Sequence, residues 1–253
     1  MLNNKTILVA GAGGLLGLNL VVSLIEQGAS VIAADINREE MISRLVALPG
    51  FDPADKLTTI ELDLNDVKAV KSFFENIKGL DGAVNCAYPR NKHYGTRFFD
   101  VELEHFNDNV SLHLGSTFLF MQQCAVFFER EKKPFSLVNI SSVYGVIAPR
   151  FDVYEDTSMT MPVEYAAIKS GVIQLSKYLT AYVSNSQFRS NCVSPGGIFD
   201  HQPQPFLEKY KAYCMGKGML DVGDVTGTVL FLLSESAKYI NGQNIVVDDG
   251  FSL

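Results

Sequence analysis

The sequence predicts a doubly wound α/β fold, in which a parallel seven-stranded sheet carries helices on both faces. Apolar runs of strand length alternate with amphipathic stretches of helix length along the chain, which indicates repeated βαβ units. Runs such as ILVA at residues 7–10 are apolar throughout, as in strands that are buried on both faces. No repeat or composition break divides the 253 residues, so we expect a single domain over 1–253.

Seven strands and six helices are predicted in alternation. The strands TILVA, SVIAA, TTIEL, GAVNC, SLVNI, RSNCV and NIVVD are expected at 6–10, 30–34, 58–62, 82–86, 136–140, 189–193 and 244–248. The helices are expected near 15–27, 38–48, 66–78, 102–130, 163–184 and 221–235. The irregular stretches 87–101, 143–162 and 197–207 follow the fourth, fifth and sixth strands. Because ligands of such sheets bind beyond the carboxyl ends of the strands, we expect these stretches at the ligand-binding edge.

Composition narrows the functional classes. A hydrophobic content of 47% with 19% charged residues is typical of a folded globular protein, and the net charge of −7 argues against nucleic acid and anionic membranes as partners. No apolar run reaches the roughly 18–20 residues of a membrane span, and the N-terminal run favours a first strand over a signal peptide. The four cysteines are scattered without a C-x-x-C, which indicates reduced thiols in the cytoplasm and no metal site.

A glycine-rich segment, GAGGLLG at residues 11–17, lies between the first strand and the first helix. Glycines at such a turn let backbone N–H groups approach a ligand, and the helix N-terminus favours a pyrophosphate. The spacing fits G-x-x-G-x-x-G, whereas the dinucleotide pattern G-x-G-x-x-G fails because its last position falls on Leu16. We therefore expect Gly11, Gly14 and Gly17 to contact a cofactor and Gly13 to be mainly conformational.

An acidic residue follows the second strand. Asp35 stands 18 residues after Gly17, near the spacing of an acid that binds the adenosine ribose hydroxyls and repels a 2′-phosphate. This favours NAD over NADP, although Arg38 tempers that preference and Asp35 is alternatively a helix cap. Asp63, after the third strand, is expected near the adenine or again as a cap.

A second group of motifs indicates the chemistry. The strand VNISS ends in Ser142, and the helix after it opens with YAAIK, in which Tyr165 and Lys169 stand four residues apart and share one face. A free tyrosine has a pKa of about 10, and a neighbouring lysine ammonium would favour the phenolate that a base requires. The hydroxyl of Ser142 would hold the substrate oxygen while a proton moves to or from Tyr165.

On these motifs the sequence resembles the short-chain dehydrogenase/reductase family, in its compact single-domain class, over nearly the whole chain. The resemblance implies a Rossmann-type sheet, an NAD(P)-dependent oxidoreductase, and assembly into homodimers or homotetramers through the helices near 102–130 and 163–184. It implies the catalytic residues Ser142, Tyr165 and Lys169. The cofactor-binding residues that it implies are Gly11, Gly14, Leu16, Gly17, Asp35, Ile36, Asp63, Leu64, Asn85, Ala87, Tyr165, Lys169, Pro195, Gly196 and Ile198.

Three positions and the length of one segment depart from the family pattern. The family's catalytic asparagine falls on His113 in LHLGSTF, which either relays protons in its place or is a packed helix histidine. Tyr88 replaces the glycine of N-N-A-G and brings an aromatic ring to the mouth of the site. Asp200 replaces a threonine that contacts the cofactor amide. The segment between Ser142 and Tyr165 is longer than usual, so the insertion 143–162 is expected over the substrate.

Polar side chains on these loops suggest the substrate class. Tyr88, Arg90, Arg150 and Tyr154 are candidate substrate-binding residues, with solvated loop side chains as the alternative. The segment 201–214, within a region at about 197–218, is expected to form a mobile lid, or else to pack.

Five segments carry a closer resemblance, to bacterial short-chain dehydrogenases that act in flagellin modification. They are GAGGLLG, AADIN, NCAYPRNKHYG, DVYEDTSMTMPVEYAAIKSG and SPGGIFDHQPQPF. This resemblance implies an amino-sugar or sugar-phosphate substrate on the route to nonulosonic, legionaminic-type sugars. Two alternatives stay open: a sugar epimerase or dehydratase that retains its NAD, whose turn the glycine spacing fits, and a non-catalytic NAD-binding regulator.

Overall fold

The computed structural model describes residues 1–253, except for the side chain of Ala54. Within this part of the chain one parallel sheet has the strand order β3-β2-β1-β4-β5-β6-β7. Its strands are β1 (Thr6–Ala10), β2 (Ser30–Asp35), β3 (Leu57–Glu61), β4 (Gly82–Asn85), β5 (Phe135–Ile140), β6 (Phe188–Pro195) and β7 (Asn244–Val247). Every strand end lies within two residues of its predicted position. The predicted doubly wound fold is confirmed.

The helices cover both faces of the sheet. They are α1 (Leu15–Glu26), α2 (Arg38–Val46), α3 (Val67–Asn76), α4 (Leu103–Asn109), α5 (Ser116–Glu131), α6 (Val163–Val183), α7 (Gln204–Lys211) and α8 (Val222–Leu233). The helix predicted near 102–130 is present without a break, but a π-helical turn, Val110–Gly115, which the sequence did not predict, joins α4 to α5. The segment 201–214 contains α7, whose Phe206 and Tyr210 are buried, so it packs against the body of the protein.

Local capping explains where several helices begin. The side chain of Asn37 accepts a hydrogen bond from Glu40 N at the start of α2. Asp66 accepts from two amides at the start of α3, and Asp221 and Asp224 form a capping box at the start of α8. Such caps satisfy amides that a helix leaves unpaired. They fix the ends of the helices that flank the ligand-binding edge.

Alternation along the strands divides the core into two layers. Ile7 and Val9 of β1 face a cluster shared with α1 and α8, whereas Leu8 and Ala10 face a cluster shared with α3, α5 and α6. Successive strand residues point to opposite faces, so a strand that is apolar throughout fills both layers. The continuous apolar runs in the sequence have this physical origin.

The strand order reverses at β1, which pairs with β2 on one side and β4 on the other. The register aligns Ala10 with Ala34 and with Asn85, and Asn85 with Asn139. The residues that follow these four therefore emerge at the same edge of the sheet. A crevice at such a reversal is where doubly wound proteins bind ligands.

A third cluster, here called the aromatic cluster, lies beyond the carboxyl ends of β5 and β6. Its buried members come from the insertion 143–162, from α7 and from the C-terminal segment: Val143, Tyr144, Val153, Phe206, Tyr210 and Phe251. Tyr165 and three methionines, Met159, Met161 and Met219, pack against it. The insertion is thus a packed element rather than a solvated loop.

Candidate active site

The glycine-rich turn forms an open cradle at the start of α1. Gly11 has a φ of +74°, and a Cβ there would lie 2.6 Å from Ala87 N. A Cβ on Gly17 would lie 2.2 Å from Gly11 O, so this glycine lets the helix pack onto the turn. A Cβ on Gly14 would meet only Gly11 O, at 3.4 Å, so the space above it is free. A pyrophosphate fits such a cradle, with the helix N-terminus supplying positive charge.

A cleft of about 540 Å³, here called the cofactor cleft, continues from this cradle along the ends of β2, β3 and β4. Of the predicted cofactor residues, its lining includes Gly11, Gly14, Asp35, Ile36, Asp63, Leu64 and Ala87. Gly13 also lines it, while Gly17 is buried and Leu16 packs on the core. Gly13 thus lines the cleft and Gly17 does not, and which of these glycines contacts a cofactor stays a prediction.

Other predicted cofactor residues lie around the cleft. Asn85 is buried at the end of β4, where its Oδ1 accepts from Ala87 N at 3.1 Å and so shapes the chain that lines the cleft. Pro195 ends β6, and Gly196 and Ile198 follow in the turn after it, outside the lining of the cleft.

Asp35 is held by backbone amides. Its Oδ2 accepts from Gly13 N at 2.8 Å and its Oδ1 accepts from Asn37 N at 3.1 Å. Each carboxylate oxygen retains acceptor capacity toward the cleft, which suits ribose hydroxyls. Arg38, which tempered the preference for NAD, is engaged elsewhere: its Nε donates to both Thr59 O and Thr59 Oγ1 at 3.0 Å.

Sequence reasoning missed one wall of the cofactor cleft. Asn37, Glu40, Met41 and Arg44 of α2 line it, and Arg44 Nη1 donates to Gly13 O at 2.5 Å. These four positions follow the helical spacing i, i+3, i+4 and i+7. That periodicity, starting two residues after the ribose-side acid, is the signal that would have found them.

Ser142, Tyr165 and Lys169 come together beside this cleft. Pro162 precedes α6, which places Tyr165 in the first turn of the helix and Lys169 one turn later. Lys169 Nζ lies 5.6 Å from the centre of the Tyr165 ring and donates to Ile140 O at 3.0 Å. The Ser142 hydroxyl accepts from Tyr144 N at 3.2 Å and lies close enough to the Tyr165 phenol to lower its pKa.

Burial dominates the electrostatics of this group. It raises the pKa of the Tyr165 phenol, and the hydrogen bond with Ser142 opposes that rise. Burial lowers the pKa of Lys169 to about 8. Among the protein's own side chains Ser142 lowers the pKa of Tyr165, and the expected contribution of Lys169 stays a prediction. The structure therefore holds a neutral phenol beside an ammonium that titrates near neutrality.

His113 lies in the π-helical turn and reaches the same group. It is 2% exposed, its ring centre is 5.1 Å from that of Tyr88, and its Nδ1 has no hydrogen-bond partner among the described residues. Burial, together with the charge of Lys169, lowers the pKa of His113 to about 2, so the imidazole is neutral. π-Helical turns are frequent at functional sites, and this one puts a neutral donor and acceptor next to Tyr88 and near Lys169.

Tyr88 connects the two parts of the site. It lines the cofactor cleft, and its ring centre lies 5.7 Å from that of Tyr165 and 5.4 Å from Lys169 Nζ. Its hydroxyl hydrogen-bonds with that of Tyr94, and the Arg90 guanidinium lies 5.2 Å above its ring. Tyr88 and Arg90 are thus brought to the site.

The other two predicted substrate residues make their contacts within the aromatic cluster, against which Tyr165 also packs. Arg150 donates through Nε and Nη2 to Phe251 O and through Nη2 to Leu253 O, and its guanidinium lies 4.1 Å from the centre of the Tyr213 ring. Tyr154 donates to Met161 Sδ at 3.5 Å and packs edge-on against Phe206. Both side chains hold the aromatic cluster together.

Across the described residues no helix is both long and apolar enough to cross a membrane.

A family model, curated proteins and solved structures each match nearly the whole chain. A family model described as enoyl-(acyl carrier protein) reductase matches residues 11–252. The post-translational flagellin modification protein A of Campylobacter coli is 38% identical over 258 residues, which cover 100% of both chains. The 7alpha-hydroxysteroid dehydrogenase of Bacteroides fragilis is 26% identical over 99% of this chain and 95% of its own. A crystal structure of a short chain dehydrogenase from Leptospira borgpetersenii with bound NAD+ superimposes with a TM-score of 0.86 at 30% identity, covering 99% of this chain and 94% of that one.

Proposed function

The chain belongs to the short-chain dehydrogenase/reductase family and is an oxidoreductase, and on that premise we propose that it transfers hydride between NAD(H) and a secondary alcohol or ketone of a sugar-derived substrate. The observation that carries this proposal is the meeting of Ser142, Tyr165 and Lys169 beside a cleft with a glycine cradle. Each group alone is common, but their convergence at one sheet edge supports dehydrogenase chemistry.

The residues divide the chemistry between them. Bound NAD supplies hydride transfer at its nicotinamide. The Tyr165 hydroxyl passes a proton to the substrate oxygen in reduction and takes it back in oxidation, and Ser142 orients that oxygen by a hydrogen bond. Lys169 binds the cofactor ribose and favours the phenolate when Tyr165 has given up its proton. Neutral His113, as donor and acceptor, relays protons toward Lys169.

The preference for NAD over NADP rests on Asp35. Its carboxylate lines the cofactor cleft, and the amides of Gly13 and Asn37 fix its orientation. A 2′-phosphate there would meet a negative charge, while ribose hydroxyls would meet two acceptors. The NAD+ in the 30% identical Leptospira structure supports the same preference.

The substrate class is inferred from the relative and from the rim of the site. The flagellin modification protein at 38% identity supports an amino sugar or sugar phosphate from glycan synthesis. Arg90, stacked on Tyr88 at the mouth of the site, provides a cation and an aromatic ring that suit a polar, anionic sugar.

Self-association is part of the proposal. Large apolar side chains are exposed together along α5 and α6, with Phe118, Val126, Tyr178 and Tyr182 between 50% and 77% exposed around one groove. Exposed apolar patches of this kind mark protein–protein interfaces. We infer a homodimer or homotetramer built on this face, and a mass of 27.9 kDa in solution would contradict it.

The variant Tyr165→Phe tests the function. It removes the proton-transferring hydroxyl and keeps the ring, so turnover should fall at least about a hundredfold while NAD binding is retained. The assay follows NADH absorbance with phosphorylated and nucleotide-linked amino sugars. Near-normal turnover in the variant would reject this mechanism. Product formation without net NADH turnover would instead identify an enzyme that retains its cofactor.

A further inference from the structure

The turn that follows β6 presents one free amide. Gly196 N donates to Val247 O at 2.8 Å, Gly197 N to Tyr210 Oη at 2.6 Å, and Phe199 N to Leu220 O at 2.8 Å. Among residues 195–199, as far as the structure describes their contacts, only the Ile198 amide has no acceptor, since Pro195 has no N–H. The three bonded amides hold the backbone on both sides of the Ile198 amide in place.

Two of these three amides are held by backbone carbonyls, but the third is held by a side chain. Tyr210 of α7 is 3% exposed, and its ring lies parallel to that of Phe251 with centres 4.1 Å apart. A Cβ on Gly196 would stand 2.8 Å from Tyr210 Oη, and one on Gly197 would stand 3.1 Å from its ring carbons. Both glycines are therefore needed for Tyr210 to approach the turn this closely.

The same contacts lead back to the catalytic serine. The Phe251 ring that supports Tyr210 also packs edge-on against Tyr144, with centres 6.0 Å apart. Tyr144 N donates to Ser142 Oγ at 3.2 Å. The aromatic cluster thus touches the turn after β6 through one hydroxyl and the catalytic serine through one amide.

We propose that Tyr210 is a positioning residue for the nicotinamide end of the cofactor, which acts through the amide of Gly197. The inference rests on the proposed function, because it takes the turn after β6 as the nicotinamide side of the site. Without the Tyr210 hydroxyl, the Gly197 amide loses its acceptor, and the Ile198 amide is no longer held toward the ligand. The adenosine end, built from the glycine cradle and Asp35, is not touched by this contact.

The experiment compares two ligands that differ only at the nicotinamide end. Affinities of wild type and Tyr210→Phe are measured by calorimetry for NAD+ and for ADP-ribose, which lacks the nicotinamide. One lost hydrogen bond should weaken NAD+ binding about threefold to tenfold, with ADP-ribose binding changed by less than about twofold. A loss that is merely structural would weaken both ligands alike.

Tyr213→Phe is the matched control. It lies three residues away, packs on Phe251 as well, and loses a hydrogen bond of 2.5 Å to Asp152, but it makes no contact with the turn. It should bind both ligands like wild type. Equal losses for both ligands, or no loss of NAD+ affinity in Tyr210→Phe, would overturn the role of Tyr210. Failure of the wild type to bind either ligand would overturn the proposed function itself.

A second variant keeps the test decisive if Tyr210→Phe does not fold. Gly197→Ala places a methyl group 2.8 Å from the flexible end of Met219 and 3.1 Å from the Tyr210 ring, so the ring must give way by a few tenths of an ångström. The same selective loss of NAD+ over ADP-ribose is expected. Unchanged NAD+ affinity in this variant would count against the proposal.

Discussion

The nucleotide half of the site and its catalytic half are built on opposite principles. The nucleotide half is formed by β1, β2 and the turns that follow them, where backbone amides and glycines shape the cleft. Its acidic residue, Asp35, accepts hydrogen bonds from two backbone amides. The other half, formed around Ser142, Tyr165 and Lys169, is called the catalytic half after their proposed roles. There the buried atoms His113 Nδ1 and Glu164 Oε2 have no partner among the described residues. Each such atom costs about 1–3 kcal/mol. The nucleotide half is therefore determined by close backbone packing, whereas the catalytic half keeps buried polar atoms without hydrogen-bond partners.

The largest effect expected is on the shape of the nucleotide half. Gly17→Ala places a Cβ 2.2 Å from Gly11 O, so backbone must move. The clash should exceed the helix-propensity gain and lower the free energy of unfolding by roughly 3 kcal/mol. Gly14→Ala, whose Cβ has only a 3.4 Å contact, should unfold like wild type in urea. If both variants lost the same free energy of unfolding, close backbone packing would not explain the stability of the nucleotide half.

The next effect concerns the charge at the ribose end. Asp35→Asn keeps the size of the side chain but removes the charge that repels a 2′-phosphate. We expect NAD+ to bind roughly tenfold more weakly, and NADP+ to lose much less, by calorimetry. Asp63→Asn, in the same cleft, is the control and should leave the NAD+/NADP+ ratio unchanged. If the NAD+/NADP+ ratio changed in the control, or did not change in Asp35→Asn, another residue would have to discriminate between the two cofactors.

The last prediction concerns the buried, unpaired imidazole of His113 in the catalytic half. Burial lowers the pKa of His113 from 6.5 to about 2, so between these values the unfolded chain binds a proton that the folded chain does not. Stability is therefore lost as the pH falls through 6.5. Wild type should lose about 1.4 kcal/mol more than His113→Asn between about pH 7.5 and about pH 5.5 in urea unfolding. Parallel pH curves for the two proteins would show that His113 is not kept neutral by the fold.

The sequence predicted the sheet well because strand burial is a local pattern. All seven strands, and the edge on which Asp35, Asn85 and Ser142 emerge, follow from apolar runs and their order. The π-helical turn was missed since an extra residue in a helix leaves hydrophobic periodicity nearly intact over a few turns.

The substrate side was predicted less well because its contacts are long-range. Arg150 looked like a ligand-binding residue, yet its partners are Phe251 and Leu253, about a hundred positions away in the chain. The tight approach of Tyr210 to Gly197 depends on how α7 folds over the sheet edge. No local pattern records either contact. The roles assigned to Ser142, Tyr165, Lys169 and His113 stay predictions.

The π-helical turn also determines what the deletion of a single residue would do to this protein. A deletion of one residue within Val110–Gly115 would restore an ordinary α-helix, since the turn holds one more residue than such a helix needs. Because the turn absorbs its extra residue locally, the apolar side of α5 would keep its place after such a deletion. His113 would lose the widened turn in which it lies. A one-residue deletion here should therefore disturb the surroundings of Tyr88 and Lys169 more than it disturbs the fold.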